Sequence, residues 1–170
     1  MNKAMSWQHV RFDVVDEIAT VTLDRPKQLN ALFGTMRNDL QEAIAMALGR
    51  ARVLIITGAG EAFCSGGDVK YMAELRRQGD TKEARELLES GRRVVELLRG
   101  MPLPTLAAIN GVAAGAGLSL ALACDLRIAS KKARLGATFS RVGLHPDWGS
   151  SFFLPRLVGT GVACEMIFTG

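Results

Sequence analysis

The 170-residue sequence predicts a layered α/β domain, and three observations carry the prediction. Short runs of β-branched residues alternate with segments of helical periodicity, the pattern that builds a sheet with crossover connections. The segment Leu118 to Cys124 is composed largely of strong helix formers and has no polar face, so it belongs inside a protein. Two glycine-rich turns, Gly58–Asp68 and Asn110–Gly117, follow directly on apolar runs. In folds of this class ligands gather where loops leave the carboxyl ends of strands.

The elements follow in order. His9–Val15 and Ile18–Leu23 read as strands of a hairpin around Asp16-Glu17, because both are rich in β-branched residues. Asp24–Ala31 is a polar loop broken by Pro26. Met36, Leu40, Ala43, Ile44, Ala47 and Leu48 keep helical spacing, which predicts an amphipathic helix of about four turns. Val53–Thr57 is an apolar strand, buried on both faces if it joins a parallel sheet. After the first glycine-rich turn, Asp68 stands as N-cap to a helix over Val69–Leu75. From Asp80 a longer helix gathers Ala84, Leu87, Leu88, Gly91, Val94, Val95 and Leu98 on one face, and Met101–Pro104 stops it. Leu106–Ile109 is a short apolar run that turns at Asn110-Gly111. Beyond the apolar helix, Leu126–Ala129 reads as a strand, Lys131-Lys132 as an exposed turn and Ala133–Thr138 as extended chain. Gly143–Gly149 is a loop before helices over Ser150–Leu157 and Val162–Phe168. No repeat, low-complexity tract or linker divides the sequence, so residues 1–170 form a single domain.

Composition narrows the function classes. The chain is long enough to bury a sizeable core, and no apolar run approaches the roughly 18–20 residues of a membrane span. The N-terminus, Met1 to Trp7, lacks a signal-peptide apolar core. Cys64, Cys124 and Cys164 stand at unrelated spacings, which suggests neither a disulfide framework nor a metal site and fits a reducing cytoplasm. The net charge of +4 comes from dispersed Lys and Arg. A solvated surface explains it as well as a polyanionic ligand does, and no nucleic-acid or membrane partner is implied.

The glycine-rich turns point to chemistry. The first amides of a helix have no intrahelical partners and carry the positive end of its dipole. Small residues at Gly115, Ala116 and Gly117 let another group come close to those amides. Such a place suits an anion or a developing oxyanion; tight packing of helix on sheet accounts for the same residues. Neither turn is a phosphate-binding P-loop or a dinucleotide fingerprint. A nucleophile elbow is absent too.

Ala62-Phe-Cys-Ser-Gly-Gly-Asp-Val69, followed by Ile109-Asn-Gly-Val-Ala-Ala-Gly-Ala-Gly117, resembles the paired signature of the crotonase (enoyl-CoA hydratase/isomerase) family. Asp24–Ala31 and Gly143–Gly149 are similar to that family's first loop and to the loop after its second oxyanion turn. The resemblance covers the whole chain. It implies a ββα superhelix of the ClpP/crotonase type that binds acyl-CoA thioesters. Two backbone amides, by position those of Gly67 and Ala116, would hold the thioester oxygen as it becomes an enolate. No cofactor is implied as a permanent guest; coenzyme A enters as part of the substrate.

Within the family, hydratases place one glutamate just after the second oxyanion turn and another further along. Here those positions hold Ser119 and Phe139, so water addition by the usual pair is not expected. Asp147 is the carboxylate that remains in a suitable place. In family isomerases an acid at the corresponding position shuttles a proton, and Phe139–Arg156 resembles most the isomerases of bacterial phenylacetate degradation, which act on a ring-epoxide phenylacetyl-CoA. Asp147 is therefore expected as acid and base of a double-bond shift, one carboxylate serving both steps. Capping the helix after Pro146 is its other available role. The corresponding acid is a nucleophile in the family's aryl-CoA dehalogenases. A serine-hydrolase reading of Ser119, His145 and Asp147 fails, since no elbow presents Ser119.

The resemblance further implies substrate contacts from Lys27, Leu29 and Ala31 on the first loop. It implies the same for Ala62, Ser65, Gly66, Asp68 and Val69 around the first oxyanion turn, for Gly115 at the second, and for Phe139 and Leu144. Lys27 fits a solvent-exposed loop equally, and Asp68 a structural role. Family members continue beyond a segment like Glu165–Gly170 with helices that cover the acyl pocket and help form trimers, often paired into hexamers. This chain is expected to be the core without them. A non-catalytic CoA-binding scaffold is the reading that Ser119 and Phe139 favour and Asp147 opposes.

Overall fold

Residues 7–170 are described by the computed structural model, and their strands sort into two sheets. β1 (Val10–Val15) and β2 (Ile18–Leu23) form the expected antiparallel hairpin. Asp16 and Glu17 between them take φ of 49° and 60°, the pair of left-handed residues that a tight hairpin matched to strand twist requires. β2 then pairs in parallel with β3 (Val53–Gly58), β3 with β5 (Thr105–Ile109), and β5 with β7 (Leu126–Ala129). The second sheet is wholly parallel, with β6 (Val112–Ala114) between β4 (Ala62–Cys64) and β8 (Arg134–Gly136). The helices are α1 (Met36–Ala45), α2 (Val69–Gln78), α3 (Thr81–Arg99), α4 (Ala116–Ala123), α5 (Ser150–Val158) and α6 (Thr160–Thr169).

This order contains a unit repeated three times: a strand in the large sheet, a strand in the small sheet, then helix. β3-β4-α2-α3, β5-β6-α4 and β7-β8-α5 are the ββα turns that the resemblance implied. The sequence shows no repeat because topology is what recurs, not residues. β4 and β6 were read as parts of glycine-rich turns; each is three residues long, too short for a periodic signal. β3 is fully buried only at Leu54 and Ile56, with Val53 and Ile55 half-buried, so burial on both faces is incomplete. α1 ends at Ala45 rather than Leu48, which is exposed at the end of a turn. The polar stretch Met1–Ser6 lies outside the described residues.

Leu23, Leu32, Met36, Leu40, Ile44, Leu54, Ile56, Phe63 and Leu120 are all completely buried in one core. Each such side chain stabilises the fold by about 1.5–3 kcal/mol relative to exposure. Every residue of α4 is buried, as a helix with no polar face requires. A second cluster, Leu118, Leu122, Ala137, Leu154 and Ala163, seats α5 and α6 on α4. Among the described residues, no helix is long and apolar enough to cross a membrane.

Candidate active site

The two glycine-rich turns lie against each other. A methyl group on Gly117 would stand 2.1 Å from the Cys64 carbonyl oxygen, so only glycine lets α4 start this close to β4. Gly66, at φ 100°, is held just as tightly: a methyl there would be 2.9 Å from the Ala114 oxygen and 3.4 Å from the Ala116 amide nitrogen. The expected choice between packing and an anion site is thus no choice. The same small residues that permit the packing leave room beside the amides.

Backbone pairing aims the two amides. The Leu32 amide donates to the Gly66 oxygen at 2.8 Å, and the Asp68 amide donates to the Leu32 oxygen at 3.1 Å. In a parallel bridge of this kind the middle residue, Gly67, turns its own N–H away from the partner strand. Ala116 is the first residue of α4, where amides lack intrahelical acceptors. Among the described residues neither the Gly67 nor the Ala116 amide donates to any acceptor. Two unspent donors lie on abutting turns, one of them at the positive end of a buried helix, as the expected oxyanion hole requires.

Asp147 sits in the loop before α5. Its Oδ1 is buried and has no hydrogen-bond partner among the described residues. Burial pushes its carboxyl up to about 6, against the opposing fields of Arg37 and His145 and its own amide. The capping role is not observed: Gly149 is the N-cap of α5 and no side chain caps it, while Asp147 contributes only its carbonyl, to the Ser150 amide at 2.9 Å. Trp148 and Gly149 take φ of 49° and 76°. A left-handed tryptophan costs about 1–2 kcal/mol, and its buried ring packs where Gly91 of α3 leaves room, a methyl there falling 2.0 Å from Nε1. The strained turn therefore rests on an anchored indole and holds Asp147 in place.

The remaining expected residues divide. Ser119 is fully buried, its hydroxyl donating to the Gly115 oxygen at 3.2 Å, so it is spent inside α4 and offers neither base nor nucleophile. Phe139 is buried in a short 3-10 turn over Thr138–Val142, whereas Leu144 and His145 are exposed. Ala62, Gly66 and Gly115 are buried in the turns, Ser65 is half-buried with its amide on the Leu29 oxygen, and Val69 is exposed. Asp68 caps α2 through the Tyr71 amide at 3.2 Å and pairs with Arg25 at 2.8 Å. Burial raises its carboxyl, but the Arg25 and amide hydrogen bonds outweigh burial and hold it below its ordinary value. These contacts fit the structural role; none of them bears on the substrate contact that the resemblance also implied. Lys27 and Leu29 are exposed on the first loop and Ala31 is buried.

Three residues were not singled out from the sequence. Asn30, fully buried at φ 55°, accepts from the Arg25 amide at 2.8 Å and donates to the Ala59 and Ala62 oxygens at 2.9 and 2.8 Å. It ties the first loop to the first glycine-rich turn. Asn110 donates to the oxygens of Gly58, Gly60 and Ala62, tying the second turn to the same place. Arg37 is buried on α1 near Gly67. A polar side chain at a loop or on a helix carries no sequence mark of such burial. Among the described residues no group of His, Cys, Asp and Glu is arranged to hold a metal.

Comparison with known proteins places this geometry. Residues 14–170 match the family model described as enoyl-CoA hydratase/isomerase. A Rhodobacter capsulatus protein named probable enoyl-CoA hydratase is 42% identical over 162 residues, covering 95% of this chain and 62% of its own length. The short-chain-enoyl-CoA hydratase of Clostridium acetobutylicum is 38% identical over 168 residues, covering 97% and 63%. The crystal structure of an enoyl-CoA hydratase from Bacillus anthracis superposes with a TM-score of 0.87 at 36% identity, covering 96% of this chain and 63% of that one. The chain thus spans less than two thirds of the length of each of these three proteins.

Proposed function

The chain belongs to the enoyl-CoA hydratase/isomerase family and has its crotonase-like fold, and from that premise we propose that it acts on acyl-CoA thioesters as an enoyl-CoA isomerase. The carrying observation is Asp147, half-buried with its Oδ1 wholly buried and unpaired among the described residues, in a chain that resembles the family yet has Ser119 and Phe139 where a hydratase keeps its acids.

The Asp147 carboxylate removes a proton from the α-carbon of a β,γ-unsaturated thioester. The C–H electron pair moves into the carbonyl, and the resulting dienolate oxygen accepts hydrogen bonds from the Gly67 and Ala116 amides. Electrons then return, and the γ-carbon takes the proton from Asp147, leaving the conjugated thioester and a regenerated carboxylate. A carboxyl pushed up to about 6 suits both halves: it is ionised at neutral pH yet more basic than an ordinary aspartate. Amides fixed before the charge develops need no rearrangement to stabilise it. Lys27, exposed on the first loop, fits contact with the phosphates of coenzyme A. Exposed Phe152, Leu157, Val162 and Phe168 on α5 and α6 support assembly into trimers or paired trimers.

A hydratase reading draws on the names of the relatives. It requires a carboxylate to activate water in addition to the acid, and the two usual places hold a spent hydroxyl and a phenyl ring. The two are separated by giving the intact protein a β,γ-enoyl-CoA and an α,β-enoyl-CoA in parallel. The isomerase reading expects conjugated-thioester absorbance from the first and no hydroxyacyl-CoA from the second. Asp147→Asn is expected to lower isomerisation by at least about 100-fold, the scale of general acid–base catalysis. Undiminished turnover by that variant, correctly folded, sinks the mechanism; coenzyme A binding without any turnover makes the protein a scaffold.

A further inference from the structure

Arg37 is the one charged side chain among the described residues that is less than a tenth exposed, at 5%. It projects from α1 behind the first oxyanion turn. A methyl on Gly67 would stand 3.6 Å from Arg37 Nη2 and 2.9 Å from Met72 Sδ. The guanidinium makes no hydrogen bond to any described residue, and its Nε and Nη1 are buried without an acceptor. A buried arginine is ordinarily paired or bonded.

The fields of Asp147 and Glu83 favour the Arg37 charge, but no described neighbour hydrogen-bonds to it. Burial pushes the Cys64 thiol up to about 11, so it is neutral. Tyr71 is a neutral phenol that donates to Glu83 Oε1 at 2.9 Å, which engages Glu83 elsewhere. Asp147 shares no hydrogen bond with Arg37, and its Oδ1 is likewise unpaired. The cation retains five N–H donors and no anion in contact.

We propose that Arg37 receives a carboxylate carried on the acyl group, making the preferred substrates CoA thioesters of acidic, dicarboxylic-type acyl chains. The planar guanidinium matches a carboxylate in shape and charge. A purely hydrocarbon chain would leave the same cation facing apolar atoms, which disfavours it. The assignment rests on the acyl-CoA reading of the site but not on the reaction that follows binding.

The test uses thioesters that cannot be isomerised. Glutaryl-CoA and valeryl-CoA have acyl chains of equal length and differ by the terminal carboxylate; their equilibrium binding to the intact protein is measured by calorimetry. Glutaryl-CoA is expected to bind at least tenfold tighter. Arg37→Met is expected to abolish that preference without weakening valeryl-CoA, and Arg37→Lys to restore part of it. Equal or weaker binding of glutaryl-CoA by the unmodified protein overturns the proposal, as does a variant that weakens both ligands equally. Failure of both thioesters to bind counts against the acyl-CoA reading itself and takes this assignment with it, whereas glutaryl-CoA selectivity without isomerisation leaves the assignment standing.

Discussion

Replacing Asp147 with asparagine is expected to relieve a charge-burial cost in the folded chain while sharply lowering its turnover. The carboxyl rises from its ordinary 3.8 to about 6 on folding because burial disfavours its charge. A raised carboxyl binds its proton more tightly in the folded state than in the unfolded one, so ionising it destabilises the fold. This cost is absent below the unfolded pKa, grows between about pH 4 and 6, and is complete above the folded value. At 1.36 kcal/mol per unit, it amounts to about 3 kcal/mol at pH 8 and about 1 kcal/mol at pH 4.5. Asparagine does not ionise, and whatever its amide gains or loses in packing is the same at both pH values. Denaturant unfolding of the two proteins at both pH values isolates the charge. The variant's stability relative to the parent is expected to be about 2 kcal/mol more favourable at pH 8 than at pH 4.5. A pH-independent difference would refute the argument that Asp147 is buried against its charge, and with it the account of its basicity.

Further outcomes follow from the same contacts. The acid limb of kcat/KM for isomerisation is expected near pH 6, activity rising as Asp147 ionises, and should vanish from the residual rate of Asp147→Asn. Gly117→Ala drives a methyl against the Cys64 carbonyl; a loss of at least about 1–3 kcal/mol in thermal or denaturant unfolding is expected, together with reduced turnover as the turns separate. Asn30→Ala strands the Ala59 and Ala62 oxygens and the Arg25 amide, for a cost of about 1–3 kcal/mol per buried group left unpaired, read by denaturant midpoint. Arg25→Met removes the partner that holds Asp68 low. Because a depressed carboxyl stabilises above its unfolded pKa and loses that stability as pH falls, the variant should be weaker near neutral pH and approach the parent in acid.

Much of the fold was legible because its signals are local. Alternating β-branched runs marked β1, β2, β3 and β7, the spacing of apolar residues marked α1 and α3, and Asp68 capped α2 as read. β4 and β6 escaped because three residues inside a glycine-rich stretch carry no period. At the site, the glycines, Ala116 and Asp147 were nameable from motif and residue type. Arg37 and Asn30 were not, because a buried arginine and an exposed one read alike.

By itself the sequence determined the layered α/β order and the buried helix α4, and through its family resemblance it pointed to Ser119 and Phe139 in the glutamate places and to Asp147 as the candidate carboxylate. Only the tertiary structure decided what that carboxylate is. Burial depends on which distant segments close over a side chain: here the left-handed turn at Trp148, anchored in the hollow at Gly91, keeps Asp147 from capping α5 and holds its oxygen from any partner. The same closure presses the two glycine-rich turns together and leaves their amides unspent, and it leaves Arg37 without a hydrogen-bonded partner among the described residues. Such unmet polar groups are properties of long-range packing, and no local pattern encodes them.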